Sequence, residues 1–422
     1  MTDMGIFLVL ASIVAFLCWY VGRIPVPRGL TQPVKYRLLM VSLIVPRLCV
    51  KVYMLLHPGD EFANLKGRRL FKEAFEPTPR EYVKGSNIRS RVTYFDGVRV
   101  RVYEPIKRNR DGLQPAFVFI HGGGMVMGSP ESYDGLTRRQ AERLDMVVVS
   151  FDYRLAPEYP FPIGYNDNLR ALTWFLQHAD EFGVDSRRVA IGGDSAGGSY
   201  AAALSQDIYD NHSLPNIKLQ ILIYPGTQQL DFQTHSHQKL DADFGDYGVL
   251  SRKSATEFVV MYARGTVDAQ AIRRSCLENV HYHSKHARPF RKFVDRNWIP
   301  PELRLAEIHT KERREMKESK PGPDSDAVWR EVSKCYLDPR FAPIVRENLR
   351  GLPRAFVLTC GFDSMRDDGI YYALRLKQAG VNVLWKHYES AFHGIFWISK
   401  NVHFKMGLEM QNNVIDFIKD YI

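Results

Sequence analysis

Cysteine is scarce in this chain, and several common signatures of cofactor sites are missing. Five of its 422 residues are cysteines and none form a C-x-x-C pair, which excludes the usual structural zinc motifs. They are Cys18, Cys49, Cys276, Cys335 and Cys360. No G-x-G-x-x-G turn leads into a helix followed by an acidic residue, and no Walker lysine is present. We therefore predict no cofactor.

Metal-binding clusters are also missing. Histidines recur in H-x-H patterns, but without a carboxylate or cysteine at the spacing that metal ligands use. These histidines are His235, His237, His281, His283 and His286. We interpret them as ordinary residues of an inserted segment, with metal binding as the less favoured alternative, and we predict no metal.

Nucleic-acid motifs are missing although the formal net charge is +10. Lysine and arginine are scattered, and no zinc-finger, homeodomain or RNP pattern occurs. The excess charge therefore indicates a solvated surface, with no nucleic-acid partner. Apolar residues make up 45% of the chain and charged residues 25%, which are ordinary globular values. No internal repeat is evident.

Charge is absent from Met4–Gly22, a run long enough to span a bilayer as a helix. It lacks the basic start, short apolar core and small-x-small cleavage site of a signal peptide. We predict that residues 1–22 are an uncleaved membrane anchor, the alternative being a buried helix.

A second apolar stretch, Leu38–Leu56, contains Pro46, Arg47 and Lys51. These residues favour one or two helices on the membrane or over the catalytic body rather than a second span.

The orientation of this anchor is not settled by charge alone. Four basic residues follow it and none precedes it, so the positive-inside rule places the main body in the cytosol. They are Arg23, Arg28, Lys35 and Arg37. The sequon that begins at Asn211, a glycosylation candidate, points instead to the lumen.

From about residue 90, short apolar runs alternate with helical patterns. A hairpin is indicated around Asp96 and Gly97. Buried strands are indicated at 116–121, 146–153, 188–194, 219–225, 355–363 and 381–388. The alternation predicts an α/β fold with a mostly parallel central sheet and helices on both faces. In such sheets the chemistry collects at the carboxyl ends of the strands.

The alternation breaks between about Gly226 and Gly351, in a polar and irregular stretch that is too long for a connecting loop. We predict a lid insertion over residues 226–351, to which an N-terminal, membrane-proximal segment at 23–90 adds. The catalytic domain is then formed by residues 91–225 and 352–422.

The stretch G-D-S-A-G, Gly193–Gly197, lies between a predicted strand and a predicted helix. This is the setting of a nucleophile elbow, where a sharp and strained turn exposes a serine hydroxyl. The surrounding glycines are needed because bulky neighbours would not fit such a turn. Ser195 is therefore the candidate nucleophile, although G-x-S-x-G alone also occurs by chance.

The stretch HGGG, residues 121–124, follows another predicted strand. An attacked ester develops negative charge on its carbonyl oxygen, which needs backbone N–H donors that no side chain obstructs. Gly123 and Gly124, together with Ala196 after the nucleophile, are the predicted oxyanion hole. The alternatives are a flexible or phosphate-binding loop.

A serine hydroxyl needs a general base, and in this fold the chain order is serine, acid, histidine. His393 follows the last predicted strand and is the candidate base. Asp363 comes first after the preceding strand and is the candidate acid. The other acidic candidates are Asp367 and Asp368, which are typical of a helix start, and Glu389, which is too close to His393 in sequence.

Six motifs occur in the order of a known family: HGGG, DYRLAPEYPFP, GDSAGG, IYP, DxxRDDG and FHG. Together they resemble the hormone-sensitive-lipase family of α/β-hydrolases. The N-terminal apolar run, GLPRAFVLTCGFDSMRDDG and FHGIF are similar to its arylacetamide deacetylase and neutral cholesterol ester hydrolase branch. The resemblance covers nearly the whole chain. Many relatives carry a bulky aromatic residue after HGGG, whereas this chain has Met125 and Val126, which alters the wall of the acyl pocket.

The resemblance implies a serine esterase or amidase with Ser195 as nucleophile, Asp363 as acid, His393 as base and the oxyanion hole named above. It also implies a single-pass endoplasmic-reticulum protein with a lumenal catalytic body. We predict an esterase of apolar carboxylic esters, lipids or foreign esters and arylacetamides, that acts through an acyl-serine intermediate. The alternative is a catalytically inactive binding or receptor protein. The oligomeric state is not predicted.

Overall fold

The computed structural model describes residues 21–60, 62–75, 78–106, 112–244, 248–264, 269–304 and 325–422. The predicted anchor at residues 1–22 lies outside these ranges except for its last two residues.

The centre of the molecule is one eight-stranded sheet with strand order β1-β2-β4-β3-β5-β6-β7-β8. The strands are β1 (Ile88–Phe95), β2 (Val98–Pro105), β3 (Gln114–Ile120), β4 (Val147–Phe151), β5 (Val184–Asp194), β6 (Leu219–Ile223), β7 (Arg354–Phe362) and β8 (Val383–Phe392). The first two form the hairpin predicted at Asp96 and Gly97, which both have positive φ. β2 pairs antiparallel with β4, and every later pairing is parallel. The predicted fold class is confirmed.

Thirteen α-helices in the described ranges accompany this sheet. They are α1 (Pro33–Ser42), α2 (Ile44–Leu56), α3 (Ala63–Phe75), α4 (Pro130–Leu144), α5 (Ile163–Gln177), α6 (Ala196–Asp210), α7 (His235–Phe244), α8 (Arg252–Arg264), α9 (Ala269–Leu277), α10 (Ser325–Tyr336), α11 (Arg366–Gln378), α12 (Ile395–Val402) and α13 (Lys405–Tyr421). Short 3-10 turns lie at Ala179–Phe182, His281–His283, Arg288–Phe293, Arg296–Trp298, Pro301–Leu303 and Pro343–Val345.

Two hydrophobic cores cover the two faces of the sheet. Successive side chains of a strand point to opposite faces, so Val118 and Ile120 of β3 enter one core while Phe117 and Phe119 enter the other. Helices α5, α6 and α11 pack on the first face, and α4, α12 and α13 on the second. Because both faces are covered, the central strands are apolar on both sides, which explains their continuous apolar runs.

The segment between β6 and β7 contains helices α7 to α10, which the polar and irregular sequence pattern did not reveal. Its apolar residues recur at helical spacing among polar ones: Trp329, Val332 and Tyr336 of α10 are all buried in the first core. Short amphipathic helices of this kind leave a weaker signal in the sequence than buried strands do.

The first of the N-terminal helices, α1, packs on the catalytic body. Tyr36 of α1 is fully buried, with its ring 5.1 Å from Phe392 and 5.6 Å from Phe244. The helix stops at Leu43, and α2 continues as a separate helix that packs on α3. By length and composition, Pro33–Leu56 could cross a membrane, and 11% of its most apolar window is buried.

Candidate active site

Ser195 occupies the sharp turn between β5 and α6. Its backbone has φ 54° and ψ −120°, a conformation that non-glycine residues adopt only under strain. The turn also approaches the end of β3 closely. A Cβ on Gly193 or Gly197 would lie 2.3 or 2.0 Å from the carbonyl oxygen of Ile120. The glycines around Ser195 are therefore required by contact with the neighbouring strand as well as by the turn.

The structure brings together the three residues predicted as nucleophile, base and acid. His393 Nε2 lies 3.0 Å from Ser195 Oγ, and His393 Nδ1 lies 2.8 Å from Oδ2 of Asp363. All three residues are buried. Asp363 follows β7 and His393 follows β8, so neighbouring parallel strands deliver both residues to the edge where β5 delivers Ser195.

The other acidic candidates have different partners. Asp367 accepts hydrogen bonds from Arg366 Nε at 2.8 Å and from the backbone N–H of Ser236 at 2.7 Å. Asp368 accepts one from Gln228 Nε2 at 2.8 Å, and burial raises its pKa well above the ordinary value. Glu389 is exposed on β8. Of these four carboxylates, Asp363 is the one that forms a hydrogen bond with His393.

The HGGG loop, residues 121–124, lines the same cavity as Ser195 and Ala196. Gly123 and Gly124 have φ of 118° and 65°, which turns this loop over the carboxyl end of β3. Among the described residues, the N–H groups of Gly123, Gly124 and Ala196 have no protein acceptor. Three such donors in the cavity that holds the Ser195 hydroxyl are compatible with the predicted oxyanion hole.

Asp194 links the HGGG loop to the turn that carries Ser195. Its Oδ1 accepts a hydrogen bond from Gly122 N–H at 3.0 Å, and its Oδ2 accepts bonds from the hydroxyls of Tyr133 at 3.1 Å and Tyr224 at 3.2 Å. Burial raises its pKa to about 6, while Tyr133, the nearby His393, Gly122 and Tyr224 oppose that rise. At neutral pH the group is thus a buried carboxylate held by three donors.

The cavity above Ser195 has a volume of about 270 Å³ and is mostly apolar. Its apolar walls come from the HGGG loop, α8 and its approach, and α12: Met125, Val249, Leu250, Phe258, Val259 and Trp397. Arg68 of α3 lies at its lining as well, so the N-terminal segment reaches the site. A cavity of this type accommodates an apolar group next to the reacting hydroxyl.

Helix α3 is clamped to the rim of this cavity by the residue after Arg68. Arg69 donates to the carbonyl oxygens of Val126, at 2.6 Å from Nη2, and of Ala156, at 2.5 Å. It also forms an ion pair with Glu158 at 2.8 Å. The segment after the HGGG loop is thus held from the N-terminal side.

The sequence did not single out several residues that the structure places at the site. Asp194 stood inside the quoted GDSAGG motif and Tyr224 inside IYP, so both were visible as motif residues without an assigned role. Tyr133 on α4 and Arg68 on α3 carried no signal, because nothing in one sequence relates them to Ser195.

The histidines of the H-x-H patterns lie in the insertion between β6 and β7. Burial lowers the pKa of His237 and of His281 to about 4, so both are neutral core residues at physiological pH. Within the ranges that the structure describes, no group of three or more His, Cys, Asp or Glu is arranged to hold a metal ion.

The chain belongs to the α/β-hydrolase fold family, whose sequence profile matches residues 117–289 and 299–397. Within that family it falls in the hormone-sensitive-lipase branch with the arylacetamide deacetylases and neutral cholesterol ester hydrolases, as the motifs predicted. It is 35% identical to arylacetamide deacetylase of Bos taurus over 84% of this chain and 85% of the relative. It is 33% identical to neutral cholesterol ester hydrolase 1 of Mus musculus over 97% of each chain.

A solved structure of similar architecture is the hyperthermophilic esterase from Pyrobaculum calidifontis. It shares 27% sequence identity, superposes with a TM-score of 0.60, and aligns over 93% of this chain and 98% of its own. The prediction of a serine ester hydrolase is confirmed at the level of the enzyme class, and the alternative of an inactive binding protein is not supported.

Proposed function

We propose that the protein hydrolyses apolar carboxylic esters with Ser195 as nucleophile, His393 as general base and Asp363 as the acid that orients it. The observation that carries this proposal is the continuous hydrogen-bonded line from Asp363 through His393 to Ser195 at the base of an apolar cavity. With its proton on Nδ1 donated to Asp363, His393 can accept the Ser195 proton at Nε2.

The reaction proceeds in two balanced halves. Ser195 Oγ attacks the ester carbonyl carbon while its proton moves to His393 Nε2, and the N–H groups of Gly123, Gly124 and Ala196 receive the oxyanion. The alcohol leaves with the proton from His393, which leaves an acyl-Ser195 ester. Water then attacks this ester, gives a proton to Nε2, and the carboxylic acid leaves as Ser195 regains its proton.

The substrate class follows from the lining of the cavity. Its walls are mostly aliphatic, aromatic and thioether side chains, with Arg68 and Asp194 as charged residues of the lining. Such walls favour an apolar acyl or alcohol group. An arylacetamide would also place an apolar aromatic group in this cavity. It is the second candidate substrate, because one group of relatives is named arylacetamide deacetylase. Parallel assays with a matched aryl ester and aryl amide separate the two.

A fluorophosphonate probe tests the assignment of Ser195 directly. The full-length protein should be labelled and should hydrolyse a p-nitrophenyl ester, and Ser195→Ala should abolish labelling and lower turnover by about 10⁶-fold. Ser205→Ala is the matched control: this serine is buried in α6, the helix that follows Ser195, and donates to Ala201 O, four residues earlier. Equal labelling of wild type and Ser195→Ala would reject the assignment.

We also propose that residues 1–22 anchor the protein in the endoplasmic-reticulum membrane with its catalytic body in the lumen. The uncharged run Met4–Gly22 supports attachment. Asn211 supports the lumenal side, since it is exposed at the end of α6 with its Oδ1 turned to Ser213. A glycosidase-sensitive mobility shift that disappears in Asn211→Gln is expected. Protease sensitivity in intact microsomes without such a shift would favour the cytosolic side.

We also propose a division of the chain into a catalytic domain and two segments that cover its active site. Residues 91–225 and 352–422 form the catalytic domain, residues 226–351 the lid insertion, and residues 23–90 the N-terminal lid or membrane-proximal segment. The contribution of Arg68 and Phe258 to one cavity supports placing both outer segments over the site.

A further inference from the structure

The outer face of α2 carries a stripe of large apolar side chains that the described protein leaves open to solvent. Val45, Leu48, Val52, Leu55 and Leu56 are between 54% and 79% exposed. Their spacing of three and four residues places them along one side of the helix. Single exposed apolar residues are ordinary, but a contiguous stripe on one helix marks an interaction surface.

The opposite side of α2 faces α3, the helix that contributes to the lining of the candidate active site. Val50 is buried there, and a Cβ added to Gly67 of α3 would lie 3.3 Å from Tyr53, so the two helices are in close contact. The next residue of α3, Arg68, lines the cavity. The stripe and the cavity are therefore on two sides of one thin helical layer.

We propose that this stripe is a lipid-docking surface: α2 lies in the plane of a bilayer with Val45, Leu48, Val52, Leu55 and Leu56 inserted. This inference rests on the proposed function, because it places the mouth of the ester-binding cavity at the membrane surface. An apolar substrate can then pass from lipid to the cavity without crossing water. The surface is distinct from the anchor at residues 1–22.

The packing of α1 shows why this region lies on the membrane and does not cross it. Tyr36 and Met40 are buried in the second core of the catalytic body, and Lys35 Nζ donates to the carbonyl oxygen of His403 at 3.1 Å. A helix fixed in this way cannot continue into a bilayer. Arg47 and Lys51 are exposed beside the stripe, where their long side chains can reach lipid phosphates.

Charge favours a bilayer over a second copy of this chain. Between Met4 and Gly59 there is no acidic residue, whereas six basic residues occur. They are Arg23, Arg28, Lys35, Arg37, Arg47 and Lys51. A symmetric dimer through this face would bring equal positive charges together, while lipid phosphates complement them. The uncharged run Met4–Gly22 on the same chain also keeps this face close to a membrane.

A depth measurement tests the docking without using activity. The full chain, with Cys18→Ser and Cys49→Ser, is reconstituted in phosphatidylcholine–phosphatidylserine vesicles after attachment of the fluorophore NBD through Val52→Cys. We expect a blue-shifted emission that lipid-borne nitroxide quenches and aqueous iodide does not. The control is the same label through Leu113→Cys, which is 50% exposed before β3 and should show the reverse.

Each other result of this measurement overturns the proposal. Quenching of the position-52 label by iodide as strongly as the control means that the stripe faces water. Protection from both quenchers means that protein covers the stripe, as in a dimer. Neither outcome depends on catalysis, so failure of docking is distinguishable from failure of the proposed function.

A second experiment measures whether the lipid-docking surface contributes to the delivery of substrate from the membrane. The triple variant Leu48→Ser, Val52→Ser, Leu55→Ser should keep wild-type turnover on a short water-soluble ester and lose at least about tenfold on a long-chain ester dissolved in the vesicles. The matched control is Ile106→Ser, Leu113→Ser, Leu384→Ser, three residues of similar exposure elsewhere, which should lose neither activity. Equal loss on both esters, or none on either, contradicts the proposal.

Discussion

The backbone N–H of Gly122 donates a 3.0 Å hydrogen bond to Oδ1 of Asp194, 72 residues further along the chain. This bond joins the first glycine of the HGGG loop to the residue directly before the proposed nucleophile. The proposed oxyanion donors and the proposed nucleophile are therefore held relative to the same residue, Asp194. Positions of catalytic groups matter at the level of 1 Å, where a misplacement can cost about 10²-fold in rate.

Asp194→Asn should lower kcat by about 10²-fold with little change in KM. The amide has a single acceptor oxygen. If that oxygen accepts from Gly122, an N–H₂ group faces the hydroxyls of Tyr133 and Tyr224 in place of an acceptor, so the loop shifts without loss of the binding cavity. Steady-state kinetics on a soluble ester measures the split. Asp152→Asn, whose carboxylate pairs with Arg99 at 2.7 Å, is the control and should match wild type. Unchanged kcat in Asp194→Asn would remove the positioning role.

The stability of wild type relative to Asp194→Asn should decrease as pH rises from about 4 to about 6. Burial raises the pKa of Asp194 from 3.8 to about 6, so in this interval the folded state holds a proton that the unfolded state has released. Ionising the buried group therefore costs stability, by on the order of 3 kcal/mol over the interval. Urea unfolding at several pH values measures it. A difference that stays flat or grows with pH would contradict the raised pKa.

The substitutions Gly123→Ala and Gly124→Ala should each abolish most activity, but a second substitution, Phe258→Ala, should restore activity only to Gly124→Ala. A Cβ on Gly123 would lie 2.0 Å from the backbone oxygen of Met127, whereas a Cβ on Gly124 would lie 2.6 Å from the ring of Phe258. We expect losses of about 10²–10³-fold in kcat for each. Adding Phe258→Ala should restore much of the Gly124→Ala loss and none of the Gly123→Ala loss.

The single variant Phe258→Ala is the reference for this comparison, because Phe258 lines the cavity and its removal alone alters substrate binding. Equal rescue of both alanine variants would show that backbone contact does not constrain Gly123.

Arg296→Met should destabilise the insertion strongly. Asp231 is fully buried and accepts hydrogen bonds from Arg296 Nε at 2.7 Å and Nη2 at 2.9 Å, and from Asn279 Nδ2 at 2.7 Å. Removing the cation leaves a buried carboxylate without its counter-ion. A fully buried pair loses about 3–5 kcal/mol in this way, and because the Arg296 side chain is 37% exposed we expect about 2–3 kcal/mol in the free energy of unfolding. Denaturant unfolding measures this loss.

The control for this ion pair is Lys292→Met, since Lys292 pairs with Glu347 while both side chains are more than half exposed. Its effect should stay within about 0.5 kcal/mol. If the two variants lose equal stability, the burial of Asp231 does not determine the result.

The sequence revealed those parts of the molecule that local pattern and chain order determine. The strand–turn–helix around Ser195 could be predicted because a tight turn beside a strand requires glycine on both sides, and the two collisions with Ile120 O explain that requirement. His393 and Asp363 could be predicted because parallel strands end at one edge, so chain order translates into position.

The rest depends on contacts between residues that no local pattern relates. Tyr133 and Tyr224 converge on Asp194 from a helix and from a strand end, and the sequence holds no spacing rule for such a convergence. The helices of the insertion were missed for a different reason. Their apolar residues stand in short stretches among polar ones, and the core that buries them is contributed by distant segments.

The contacts of Arg69 determine where the chain can be shortened to obtain a water-soluble enzyme. Its guanidinium holds the carbonyl oxygens of Val126 and Ala156 beside the HGGG loop. A truncation directly before β1 would leave both oxygens without their donor and the cavity without Arg68. A cut between α2 and α3 would remove the proposed lipid-docking surface and retain the clamp, so of these two boundaries it is the better one for crystallisation.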